Sequence, residues 1–419
     1  MVTYGVAANG GVLSNKRSLF VGKPASLPNR AGLRRCSQHP YFPCGSPQPE
    51  ECGYTAFTCY SAAVRLSAMT TPTEAPPGPT TVPAQQGSDF ARLSRRITEA
   101  GLLARKPAYY TVRFTLVGLS LAATWTGFVL LGDSWWQLAL AVAMGLVFGQ
   151  CALVAHDLAH RQVFRKRRAS EVGGRIVGNL GIGMSYGWWM NKHTRHHANP
   201  NHEELDPDVS PDILVWSQDQ AREAKGLPRF MGRHQAGLFF PLLTLEGFNL
   251  HVASARALRE PHMKRRWLEG VLLYGHFVGY LVALFLVLPV GMALAFLLVH
   301  QAVFGVYLGS VFAPNHKGMP MLNGDTKPDF LRKQVLTSRN VRGGWLINTV
   351  MGGLNFQIEH HLFPNMPSPH LARAQKIVRE YCAELDIPYH ETGLIESWRE
   401  ALSHLHEVGV PIRNAPAEG

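Results

Sequence analysis

The chain has 419 residues, of which 46% are hydrophobic and only 17% charged, with 41 Lys and Arg against 29 Asp and Glu and a formal net charge of +12. So much apolar character excludes a disordered chain. A charge content below the roughly 25% of soluble domains, at a mean hydropathy of −0.04, fits a protein partly in lipid and partly in water. The basic excess comes with no groove-reading or base-stacking motif, which speaks against nucleic acid as a partner, and four of the six Cys crowd one N-terminal stretch, which speaks against a disulfide scaffold.

Residues 1–68 hold seven basic residues and no acid before Glu50. They read as an organellar transit peptide or as translated upstream sequence, with Met69 as the favoured start, and are set apart from the fold. Residues 69–88 are rich in Pro and Thr and suit a flexible tail, so 1–88 is expected to be disordered or non-native. From Asp89 the spacing of Phe90, Leu93 and Ile97 predicts an amphipathic helix on a membrane surface. The folded domain is expected over 89–400, and 401–419 as a tail.

Four apolar runs approach the ~20 residues needed to cross a ~30 Å hydrocarbon core. They lie at about 109–131, 136–155, 267–290 and 291–313. Short turns without Lys or Arg join them in two hairpins, at Gly132-Asp133-Ser134 and Leu288-Pro289-Val290-Gly291. The opposite ends carry Arg105, Lys106, Arg165 to Arg168, Lys264 to Arg266 and Lys317. That asymmetry places the long polar segments on the cytosolic side of the bilayer.

Just beyond the basic ends lie three histidine clusters. They are His156 and His160; His193, His196 and His197; and Gln357, His360 and His361. Helical positions i, i+3 and i+4 share a face, so each cluster presents its side chains together. With 19 His in 419 residues, a given three-His pattern arises by accident about 0.04 times per chain. Neutral imidazole suits Zn, Cu, Fe and Ni. Seven histidines without Cys are too many for one tetrahedral ion, and suit two ions with open positions for oxygen chemistry. Iron fits best, with copper and manganese as alternatives.

His316, after the fourth run, is a candidate eighth ligand beside Asn315. Asp157, Asp206, Asp208 and Glu359 are candidates to accept the second imidazole N–H of ligands and so fix their tautomers. His202 reads as a surface or outer residue, and His276 and His300 as neutral hydrogen-bonders between helices. Gly149, Cys151 and Val311, in the spans near the boxes, are candidates to line a tunnel between the helices.

At these boxes the chain resembles the integral-membrane fatty acid desaturases, whose H-x-x-x-H, H-x-x-H-H and [HQ]-x-x-H-H motifs are matched from about residue 90 to 400. The resemblance implies an all-α integral membrane protein: four transmembrane helices in two hairpins, with a cytosolic helical cap carrying a histidine-rich di-iron site. It implies two iron ions held by His156, His160, His193, His196, His197, His316, His360 and His361, with Gln357 a weak ligand or a hydrogen-bonder to one. It also implies O2-dependent removal of two hydrogens from a fatty acyl-CoA or acyl-lipid. Gln357 resembles the front-end subgroup, so delta-6 and delta-9 regiochemistry are both expectations. No His-Pro-Gly-Gly haem motif is present, so the expected electron donor is separate: ferredoxin, or cytochrome b5, with a reductase. A bacterial plasma membrane is the expected location, or an organelle membrane if 1–68 is a transit peptide. A di-iron hydroxylase and a membrane metal transporter are the competing readings.

Overall fold

The computed structural model describes residues 88–324 and 326–415. The expectations for residues 1–87, including a start at Met69, lie outside the described residues. Described residues are mostly helical; the paired strands are Asn340–Arg342 and Glu391–Gly393, running parallel.

Four helices are long and apolar enough to cross a membrane: Pro107–Leu131, Gln137–Ala159, Arg266–Val287 and Val290–Asn315. Only 11% of the most apolar window of the first is buried within the protein. Val112, Leu116, Leu119 and Leu130 stand on its outside, an arrangement stable only against an apolar solvent. Gly132 breaks this helix at φ 54°, and Gln137 covers its loose end by donating to the Phe128 carbonyl at 2.8 Å and the Gly132 carbonyl at 2.9 Å.

The second and fourth apolar helices pack through small residues. Gly149 faces the ring of Tyr307, and Gly145 faces Val303. On its other side the fourth helix meets a feature not expected from the sequence. Helices Gly226–Leu243 and Glu246–Ala257 meet at 83° and would pass for a broken fifth span. Pro241 lies in the last turn before the bend. Polar residues such as Glu246, Asn249 and His251 hide this pair from a search for continuous apolar runs. Gly305 abuts the bend so closely that an added Cβ would lie 2.3 Å from the Leu243 carbonyl oxygen.

Two sequence expectations change here. The helix Asp89–Glu99, capped by Ser88, buries Leu93 and Ile97 against Leu371, Ala374 and Val378. Protein, not a membrane surface, covers its apolar face. The boundary at 400 falls inside helix Leu394–Val408, whose Ala401 and Leu405 are buried. The polar look of 401–408 is that of a helix with one buried face.

Overpacking a close backbone contact costs ~1–3 kcal/mol. Gly305→Leu is therefore expected to lower the thermal midpoint of the detergent-solubilised protein, read by fluorescence-detected size exclusion. Gly118→Ala, with open space around its Cβ, should not.

Candidate metal centre

Box one sits where the second apolar helix ends, with His156 in the last turn and His160 as the C-cap. Box two occupies helix Tyr186–Ala198, where Ser185 accepts from the Trp188 amide at 3.2 Å. The start of that helix is tied to Glu269, a buried carboxylate on the third apolar helix. Glu269 accepts from Ser185 Oγ (2.9 Å), Asn179 Nδ2 (2.6 Å) and Arg175 Nε (2.8 Å). Box three is the short helix Gln357–Leu362, buried throughout.

These elements and His316 bring the histidines together in two sets. In each set, one ring nitrogen per residue lies within 4.8 Å of the others: His156, His160, His193 and His360 in one, His196, His316 and His361 in the second. His197 stands between them. Its Nε2 is 3.0 Å from His193 Nε2, and its ring stacks on His361 at 4.2 Å.

In the second set each Nδ1–H is directed outward. His196 Nδ1 donates to Asp206 Oδ2, His316 Nδ1 to the Thr337 carbonyl and His361 Nδ1 to Gln334 Oε1, each at 2.9 Å. The Gln334 amide is oriented by its own donation to the His197 carbonyl at 2.9 Å. A neutral ring protonated at Nδ1 keeps only a lone pair at Nε2. Those lone pairs face inward: His196 Nε2 and His316 Nε2 are 3.3 Å apart, and His361 Nε2 is buried without a partner. In the first set, both ring nitrogens of His156 and of His360 are buried without a hydrogen-bond partner. Buried polar groups are nearly always satisfied. Orphaned imidazole nitrogens converging without thiolate fit iron or a similar first-row ion, and are too many for one tetrahedral ion.

Burial, reinforced by neighbouring imidazoles, pushes His160, His193, His197, His360 and His361 well below the ordinary imidazole range. Burial likewise pushes His316 down to about 3. These rings are neutral, the form in which imidazole binds metal. His196 differs: burial lowers it, but Asp206 and Asp208 outweigh burial and raise it. Carboxylates that would hold a proton on this ring equally favour a metal cation.

Asp206 also accepts from the Asn201 amide at 2.8 Å. Asp208 lies 3.5 Å from His196 Nδ1 and pairs with Lys192 at 3.0 Å. Asp157 is 3.7 Å from His156 Nδ1, too far for a hydrogen bond, and is held instead by Arg113 at 2.8 Å and Ser368 Oγ at 3.3 Å. Glu359 turns away from the imidazoles. It accepts from Asn340 Nδ2 (2.8 Å) and Tyr389 Oη (2.7 Å), and burial raises it to about 7. Asn315 donates to Gln357 Oε1 at 3.2 Å, which leaves the Gln357 NH2 to donate to His316 Nε2 at 2.9 Å.

His300 Nδ1 meets Tyr280 Oη at 2.6 Å, an interhelical bond of the expected kind, and His276 Nδ1 meets the Leu180 carbonyl at 2.9 Å. His202 Nδ1 accepts from the Glu204 amide at 3.3 Å, a local turn. Gly149 faces Tyr307, and Cys151 and Val311 are buried among apolar side chains. A narrow cavity of ≈ 20 Å³ lies among Ala152, Met184, Trp189, Leu308 and Phe312. The sequence reading missed Gln334 and the Thr337 carbonyl, which belong to no motif. It also missed Trp189, stacked on His193 at 4.2 Å, although its i, i+4 spacing to His193 pointed to it.

A family model described as fatty acid desaturase matches residues 133–393. The chain belongs to the fatty acid desaturase family. It is 33% identical to an acyl-lipid (9-3)-desaturase of Physcomitrium patens over 65% of this chain and 53% of the moss protein, so it spans about half of that relative's length. It is 29% identical to an acyl-lipid 8-desaturase of Rebecca salina, covering 81% of this chain and 79% of that one. A Delta(6)-fatty-acid desaturase of Caenorhabditis elegans is 26% identical over 77% of this chain and 75% of its own. In this desaturase-family chain the three boxes fall where the imidazoles converge.

Losing an outer hydrogen bond to a ligand costs roughly 10–100-fold in metal affinity. Asp206→Ala is expected to lower iron affinity by that amount, measured by competition with a chelator and metal analysis. The pH response of metal-free protein follows from His316, whose value falls from 6.5 to about 3 on folding. Between those values the unfolded chain binds more protons than the folded one, so stability falls as pH drops below about 6.5. Thermal scans of chelator-treated protein from pH 7.5 to 5 should show a falling midpoint.

Proposed function

We propose that this protein is a front-end-type fatty acyl desaturase. It would hold two iron ions on His156, His160, His193, His196, His197, His316, His360 and His361. The observation that supports this most is the convergence of two sets of imidazoles in which ring nitrogens of His156, His360 and His361 are buried without a hydrogen-bond partner. Delta(6), 8- and acyl-lipid (9-3)-desaturases among the relatives, together with Gln357 in the third box, favour the front-end class over delta-9.

Iron bound here would supply O2 activation and hydrogen abstraction from adjacent methylenes. The chain's own residues do the rest. Asp206, the Thr337 carbonyl and Gln334 hold three Nδ1 protons outward, so that ligand lone pairs are fixed before any metal arrives. Gln357 occupies the third-box position of a ligand and its NH2 meets His316 Nε2; iron on that nitrogen would replace this hydrogen bond and leave the Gln357 amide beside the metal. The cavity beside Trp189 and Phe312 adjoins His156 and offers an apolar space for a reacting carbon. At ≈ 20 Å³ it must open by side-chain movement to admit a chain, and a small misplacement there would cost much rate.

In this reading the four apolar helices form two membrane hairpins, and the boxes lie in a cap on the cytosolic side. The folded unit runs from residue 89 through the C-terminal helices. The substrate is an acyl-CoA or acyl-lipid, and electrons arrive from ferredoxin or from cytochrome b5 with its reductase. Fatty-acid methyl-ester profiling of cells expressing the chain, beside a His360→Ala/His361→Ala version, tests the function. A new unsaturated acid in the first strain alone is the expected result, with its double bond located by mass spectrometry on the carboxyl side of an existing one. Hydroxylated acids would replace desaturase by hydroxylase.

A further inference from the structure

The first apolar helix carries one charge past its first turn, Arg113. Its side chain is 10% exposed, and its Nη1 donates to Asp157 Oδ2 at 2.8 Å. Its Nη2 is buried and has no hydrogen-bond partner. Gly352, at φ +61°, makes room for it: a Cβ there would lie 2.9 Å from Nη2. Asp157 already balances the guanidinium charge. What remains is the NH2 of Nη2 on an already balanced charge, suited to a neutral acceptor more than to a second anion.

Arg113 lines a groove of ≈ 620 Å³ between the first two apolar helices and the segment 345–372. That volume lies in the range of ligand-sized sites. Val112, Leu116, Leu146 and Phe356 form apolar wall, and Arg113 is the only charged residue in the lining. The groove runs onto the lipid-facing surface, where Val112 is 59% and Leu116 60% exposed. At the other rim, Trp345 is 78% exposed on helix Trp345–Val350, which buries no side chain. An exposed Trp at such a rim suits the headgroup region of a bilayer.

We propose that this groove binds an ester-linked acyl chain of a bilayer glycerolipid, with the hydrocarbon on the apolar walls and the ester carbonyl accepting from Arg113 Nη2. The phosphates of an acyl-CoA would find no Lys or further Arg in the lining, so the lipid ester is the better match. The proposal deepens the desaturase reading and rests on it for the fate of the chain: Asp157, the partner of Arg113 behind the groove, lies 3.7 Å from His156.

The test is native mass spectrometry of the purified full chain in detergent, titrated with dioleoyl-phosphatidylcholine or its diether analogue, which lacks the carbonyls. Iron content is read on the same samples. Wild type should retain one diester lipid at about tenfold lower concentration than the diether, the worth of one charge-assisted hydrogen bond. Arg113→Lys, whose shorter ammonium cannot serve Asp157 and a carbonyl together, should abolish that preference. Ser120→Trp, which fills the groove from its lipid-facing rim, should abolish retention of both, with iron content unchanged. Equal retention of diester and diether by wild type would overturn the proposal, as would undiminished retention by Ser120→Trp, or stronger retention of oleoyl-CoA. Because lipid occupancy is read apart from turnover, loss of the desaturase reading and loss of this site would be told apart.

Discussion

The structure depends on a crowd of imidazole lone pairs that cannot be satisfied by protein. Eight histidines share a buried space in which ring nitrogens approach one another at 2.8 to 3.3 Å. A proton can relieve one such contact, but burial and the neighbouring rings hold most of these groups neutral. A shared cation relieves many at once. The site is therefore costly without metal and favourable with it, and metal binding must contribute to the stability of the surrounding fold.

Everything that brings the boxes together works against that cost. His156 and His160 belong to the membrane helix that packs most closely on the fourth through Gly145 and Gly149. Box two is anchored from below by Glu269, which accepts from Ser185 Oγ and the Gly187 amide at the start of the box-two helix and from Arg175 and Asn179 just before it. Box three is held by Asn340, which accepts from the Ile358 amide at 2.9 Å and donates to Glu359 at 2.8 Å. Glu359 thus acts on the position of its whole helix, and its failure to meet an imidazole is no loss of role.

The spans and boxes were legible because each is periodic: a long apolar run sets a membrane helix, and i, i+3, i+4 histidines set a ligand face. Asp206 was legible because it follows box two closely enough to turn back on His196. Gln334 and the Thr337 carbonyl were not, because a backbone carbonyl has no sequence signature and Gln334 lies in no repeated pattern. The bent pair at Leu243 and Glu246 was hidden for a different reason. Its polar residues Glu246, Asn249 and His251 are buried or half-buried in the protein, so its composition falls between that of a span and that of a soluble helix. The surface helix expected from Asp89 has the right periodicity, but periodicity does not say whether lipid or protein covers the apolar face.

The two imidazole sets are held in place by different physics. In the second, carboxylate, carbonyl and amide acceptors fix each Nδ1, so direction is set by hydrogen bonds whose geometry tolerates little rotation. In the first, His156 and His360 have no hydrogen bond on either nitrogen, and His193 is positioned by the face of Trp189. Packing restrains a ring less sharply than a hydrogen bond does, so the first set has more freedom to adapt. Trp189 and Phe312 border both this set and the apolar cavity. Whatever fills that cavity therefore presses on the rings least fixed by hydrogen bonds, while the second set keeps its geometry. Rigid on one side and packed against the apolar space on the other, the centre has its adjustable half where a reacting chain would lie.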